Sequence, residues 1–281
     1  MKRLVIVLAV AAVVTSVAYS AQADAAISAD PIKSLKRQFA AGRGVLVSET
    51  TKSTVVGVKG YFLTRTTGKI GFSKSEAVNY DLKSRYKPNP EFLKTLSEAE
   101  LEDVGTPLHA IKVGRYTYVS GFNWGRMPDG VTWIRFGGKD NSGWGSEGQR
   151  GDQLVDVFNP EILKKVLAKA TLVRPGEYRG TLVPKKDLYK GWELHDDVRK
   201  VSFRLFVNKD QVPVRLITEY SDRDRMPNSD GKLVNRTHRE VVDTRYSGWG
   251  AKVEITAPPL DEVIDKIDLD HLNRGDQGGG W

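Results

Sequence analysis

The stretch VSFRLFVNKDQVPVRL, residues 201–216, decides the fold. Val201, Phe203, Leu205 and Val207 alternate with Ser202 and Arg204, and Phe206 is the one break in the pattern. After the polar turn Asn208-Lys209-Asp210-Gln211, Val212, Val214 and Leu216 face one way. A period of two on both sides of a short polar turn predicts an antiparallel hairpin with one buried face. Such a face needs a cover.

Upstream, Val45–Ser48, Thr54–Arg65, Lys69–Ser73 and Ala77–Tyr86 read as strands, with Thr66-Thr67-Gly68 as a turn. Leu108–Val113, Arg115–Phe122 and Val131–Phe136 follow, the last after the turn signal Met127-Pro128-Asp129-Gly130. Downstream come a long polar strand over Leu233–Tyr246 and a short one over Lys252–Thr256, stopped by Ala257-Pro258-Pro259.

Helices are inserted at a few points. Asp30-Pro31 opens the first, with Ile32, Leu35 and Phe39 on one face. Asn89-Pro90 opens a second region carrying Phe92, Leu93 and Leu96, continued by a capping box from Ser97 to Glu100. The clearest helix starts at Asn159-Pro160 and repeats Ile162, Leu163, Val166, Leu167 and Ala170 at helical spacing. A short helix is expected around Leu260–Ile267, and the glycine-rich residues 137–151 read as a loop. Neither a repeat nor a domain-sized linker interrupts the chain. The pattern predicts one α+β domain over residues 30–267 and a flexible tail over 268–281, not the strand–helix rhythm of a parallel sheet.

The first residues carry an address. Lys2 and Arg3 precede the uncharged run Leu4–Ala18, and Ala21-Gln22-Ala23 offers a cleavage site before Asp24. This is the order of a secretory signal peptide, residues 1–23, and the run is shorter than the ~20 residues a spanning helix needs. The alternative is a signal retained as an anchor. The formal charge of +8 suits an anionic membrane or wall surface. Basic residues are scattered among acids, so no nucleic-acid partner is expected. With no cysteine in the chain, disulfides, thiol catalysis and an acylated N-terminal cysteine are excluded.

Chemistry-bearing motifs are sparse. Glu193-Leu194-His195-Asp196-Asp197 is the one dense acid–histidine group, in what reads as a solvated loop. Asp222, Asp224 and Asp230 lack the spacing and terminal Glu of a calcium loop. In Gly143-Trp144-Gly145-Ser146-Glu147-Gly148, Trp144 occupies the position where a nucleophile elbow needs glycine. No metal site, cofactor or catalytic residue is predicted, and the chain reads as non-enzymatic. Aromatic residues in or beside the strands, among them Trp124, Trp133, Trp144, Trp192, Trp249, Tyr116 and Tyr118, suit either a core or the lining of an apolar ligand cavity.

These residues carry a resemblance. Asp30-Pro31-Ile32 with Leu35, Gln38-Phe39 and Gly44-Val45, then Val212-Pro213-Val214-Arg215-Leu216, Tyr246-Ser247-Gly248-Trp249-Gly250 and Val253–Pro259 resemble the actinobacterial LppX/LprG-like lipid carriers. That family is similar in fold to the LolA-type lipoprotein carriers. The resemblance implies a strongly curved antiparallel half-barrel whose concave side is covered by helices, with acyl chains held between them. It departs from the family in lacking the tethering cysteine, which implies a free or wall-retained monomer.

The expected function is therefore an exported envelope carrier of a lipid or lipid conjugate. Phe92, Leu96, Leu163, Val166 and Leu167 are expected to roof its cavity, with Phe203, Leu205, Val214 and Leu216 on the sheet below. A fully packed core built from the same residues is the alternative. It would suit a non-catalytic interaction or sensor module on the same fold. A hydrolase announced by no motif is the third class.

Overall fold

The computed structural model describes residues 30–94, 105–121, 124, 126–137, 150–188, 198–227 and 232–275. The signal-peptide region, Leu96, the Ser97–Glu100 capping box, Ser146, Asp230 and the acid–histidine group at His195 lie outside the described residues. So do Trp144 and Trp192.

Among the described residues, twelve strands form one unclosed sheet in the order β12-β6-β5-β4-β3-β2-β1-β11-β10-β9-β8-β7. In chain order they are β1 Arg43–Val55, β2 Phe62–Phe72, β3 Ala77–Pro88, β4 Leu108–Val113, β5 Tyr116–Ser120 and β6 Trp133–Phe136. Then follow β7 Ala170–Arg174, β8 Glu177–Leu182, β9 Val201–Val207, β10 Pro213–Pro227, β11 Leu233–Lys252 and β12 Val263–Asp265. Every neighbouring pair is antiparallel except β6 with β12. The helices are α1 Pro31–Gln38, α2 Pro90–Leu93, α3 Pro160–Ala168, α4 Pro184–Asp187 and α5 Lys266–Gly275. The fold is α+β, a curved antiparallel half-barrel.

The first strand meets the long eleventh strand at the middle of this sheet. β1 pairs with β2 on one side and with β11 on the other, from Arg43 opposite Lys252 to Val55 opposite His238. Along β1, Val45, Val47, Glu49 and Thr51 turn inward while Leu46, Ser48 and Lys52 turn to water. The 201–216 hairpin forms, with Leu216 opposite Leu205 and Thr218 opposite Phe203, and a register irregularity between Pro213 and Arg215 interrupts the expected alternation of Val212, Val214 and Leu216. Its turn is held by the Asn208 carboxamide oxygen, which accepts from the Asp210 and Val212 N–H groups. On the outer face, Arg215 grips Asp243 across the β10–β11 pair through two hydrogen bonds of 2.8 and 2.6 Å.

Several strand boundaries differ from the sequence reading. Thr54–Arg65 is not one strand: it contains the end of β1, a turn at residues 56–61 and the start of β2. Thr66-Thr67-Gly68 lies inside β2, not at a turn. Residues 253–256 lie outside the sheet, which β11 leaves at Lys252. Leu260–Ile267 divides into a 3-10 turn at Leu260–Glu262, then β12, then the start of α5. Arg135 pins β12 to β6 through a two-fold bond to Asp265 of 2.5 and 2.7 Å. The stretch from residue 268 is helical as far as Gly275, with Leu269 buried against Val119, Ile134 and Phe136. No helix among the described residues is long and apolar enough to cross a membrane.

Candidate functional site

One face of the sheet is concave and changes character along its strands. Its apolar half is covered by α1, α3 and a strap, residues 150–158, that leads into α3. The Asn159 side chain caps α3 by accepting from the N–H groups of Glu161 and Ile162, and Pro160 takes the first helical position. That start turns Ile162, Leu163 and Val166 inward. They join Leu35 and Phe39 of α1, and Val155, Val157 and Phe158 of the strap, in one buried cluster on the sheet. Phe158 anchors the strap: its ring meets Tyr246 edge-on at 5.4 Å and lies 5.9 Å from Trp249 and 6.1 Å from Phe72.

Of the residues expected around a cavity, Leu163, Val166, Phe203, Leu205 and Leu216 come together in this cluster, with Leu167 half-buried against it. Val166, Leu163, Leu205 and Leu216 are 0% exposed. Val214 sits at the irregularity between Pro213 and Arg215 and is half-buried outside the cluster. Phe92 is elsewhere, on α2, 5.9 Å from Phe62, which in turn stacks on Tyr86 at 5.3 Å.

The other half of the concave face is polar and unfilled. A cavity of about 340 Å³ lies between β1, β10, β11 and the start of the strap, lined among others by Thr51, Ser53, Arg150, Asp152, Tyr220 and Glu240. Gln153 closes its inner side. Its side-chain nitrogen donates to the Leu216 and Val242 carbonyls and to the Thr244 hydroxyl, and its oxygen accepts from Thr218. Glu49, 2% exposed, accepts from the Thr244 hydroxyl at 2.5 Å and from the Asp152 N–H at 2.9 Å. Gly151 makes that approach feasible. It adopts a left-handed φ of +62°, and a Cβ there would strike the Glu49 carboxylate.

Burial pushes Glu49 up to about 8, and the nearby Asp152 charge adds to the effect. Desolvation likewise raises Asp152, eased by the Thr51 hydroxyl, and raises Glu240, eased by its bond from Ser53. Glu49 is thus a buried carboxyl that favours holding a proton at neutral pH, with the exposed Asp152 beside it. Sequence reasoning missed this group. The available signal was an acid at Glu49 on the inward phase of Val45, Val47 and Thr51.

A second, more open depression of about 510 Å³ lies along β9, β10 and β11. Arg199, Lys200, Arg223 and Arg239 line it together with Glu219 and Glu240. Among the described residues, no three histidine or acidic side chains converge as a metal site requires.

No protein-family model matches the chain, and no curated protein sequence does. Among solved structures it aligns with a DUF1329 family protein of Desulfovibrio piger, with a TM-score of 0.30, 11% identity and coverage of 81% of this chain and 92% of that one. A LolA superfamily protein of Nitrosomonas europaea aligns with a TM-score of 0.23 and 13% identity, over 82% and 93% of the two chains. A putative outer membrane lipoprotein-sorting protein domain of Vibrio parahaemolyticus gives 0.27 and 9%, over 86% and 96%. Likenesses this weak carry no argument about what the chain does.

Proposed function

We propose that the chain is an exported, non-catalytic carrier of a lipid or lipid conjugate, akin to the LppX/LprG-like proteins it resembles in sequence. The observation that carries the reading is the division of the concave face. Along β1 alone, inward Val45 and Val47 give way to Glu49, Thr51 and Ser53, and the same change runs from Leu216 to Thr218 on β10. An amphiphile has the same division. Its hydrocarbon enters by parting the nine-residue α3 from the sheet around Leu163, Val166, Leu205 and Leu216, and its head group lies in the polar cavity. Each methylene transferred from water contributes about 0.8 kcal/mol. The basic depression at Arg199, Lys200, Arg223 and Arg239 suits contact with an anionic membrane or wall surface.

The second reading is a protein-interaction or sensor module with a permanently closed core. What favours it is the filled state of the apolar half, where the expected cavity residues pack against one another. Val166→Trp separates the two. In a carrier the indole takes the acyl position, so the variant melts close to wild type and loses uptake of a fluorescent fatty acid. In a closed core it overpacks, costing typically 1–3 kcal/mol. A wild type that takes up no probe, with a variant melting several degrees lower, favours the module.

A further inference from the structure

We propose that the polar cavity beside Thr51 binds a primary ammonium group, carried as the head of the amphiphile; this rests on the carrier reading above. Three observations converge on it. The cavity wall is acidic: Asp152, Asp222 and Glu240 line it, Glu49 is bonded to the Asp152 N–H behind them, and among the described residues Arg150 is the one cationic side chain in the lining. Burial holds the half-buried Glu240 carboxyl above its ordinary range, and the neighbouring Asp152 and Asp222 charges add to the effect. Independently of the acids, Thr51 lines the cavity, is 4% exposed, and its hydroxyl has no hydrogen-bond partner. The Asp152 carboxyl lies close enough for this hydroxyl to lower its pKa, which places Thr51 beside that acid at the cavity wall. A buried hydroxyl left unpaired in a polar cavity is costly, and a ligand donor removes that cost.

The lining selects among cations. A primary ammonium offers three N–H donors, which suit the Thr51 hydroxyl and two carboxylates. A quaternary ammonium needs a cage of aromatic faces, and among the described residues Tyr220 is the one aromatic side chain in the lining. A metal ion needs converging ligands that the described residues do not supply.

Calorimetric titration of the full mature protein in phosphate buffer at pH 7 tests this with four probes below their micelle concentrations. They are dodecylammonium, dodecyltrimethylammonium, dodecanoate and ethanolamine. Dodecylammonium is expected to bind at least tenfold tighter than each of the others. Thr51→Val should weaken it about tenfold while melting no lower than wild type, since the lost hydroxyl has no partner in the free protein. Glu240→Gln should weaken it similarly. Equal affinity for dodecanoate and dodecylammonium overturns the ammonium assignment and leaves the carrier reading standing. Ethanolamine binding as tightly as dodecylammonium supports the ammonium site and overturns its coupling to a hydrocarbon chain. Binding of none of the four overturns both.

Discussion

Raising the pH from 5 to 9 is expected to destabilise the wild-type protein far more than its Glu49→Gln variant. The cause is the buried Glu49 carboxyl, whose pKa is pushed from an ordinary 4.5 up to about 8. A carboxyl with a raised folded pKa binds more protons in the folded state than in the unfolded one between those two values. Stability is therefore full below about 4.5 and falls as pH rises through about 8. The loss is on the order of 4 kcal/mol. Glu240, raised by burial, pushes in the same direction. For a chain of this size the melting temperature should fall by roughly 10 °C. Glutamine keeps an acceptor for the Asp152 N–H but has no proton to lose, so its profile should be flatter. Parallel profiles for the two proteins would show that Glu49 does not titrate in this window.

The second large effect is expected at Phe158→Ala, with a loss of about 3–5 kcal/mol. Phe158 is the hinge between strap and helix: its ring packs among Phe72, Tyr246 and Trp249, and the next residue caps α3. Removing the ring leaves a void that the sheet, held by its ladders, cannot collapse to fill. It also loosens the strap that carries Gln153, so the variant should lose the cavity's inner wall as well as core volume. Thermal melts against Leu172→Ala provide the scale. Leu172 is 56% exposed on the edge strand β7, and its truncation should change stability by less than about 0.5 kcal/mol. Similar losses for the two would contradict the packed-hinge assignment.

What was legible in the sequence is what local periodicity controls. Val201–Leu205 alternates at period two and forms β9, and Ile162, Leu163 and Val166 repeat at helical spacing behind an Asn-Pro start and form α3. The misread segments have a physical reason. Gly68 looks like a turn residue, yet it is a mid-strand glycine because a side chain there would collide with the Asp81 carbonyl of β3. In Thr54–Arg65 the β-branched and aromatic residues conceal a real turn, carried by Gly57 and Gly60 at φ of +86° and +97°. The fold gives Glu49 its partners through contacts distant in sequence: Thr244 across the β1–β11 pair and Asp152 in the strap. No window around residue 49 contains that information. The same holds for Gln153, which sits at the end of a glycine-rich stretch and ties its side chain to Leu216, Val242, Thr244 and Thr218.

Native mass spectrometry of the protein purified from culture supernatant tests the carrier account most directly. The account predicts a polypeptide mass beginning near Asp24, accompanied by a noncovalent adduct of lipid mass that is released on collisional activation and lost in Val166→Trp. A bare polypeptide in every charge state, still bare after incubation with a mixture of amphiphiles, would contradict it.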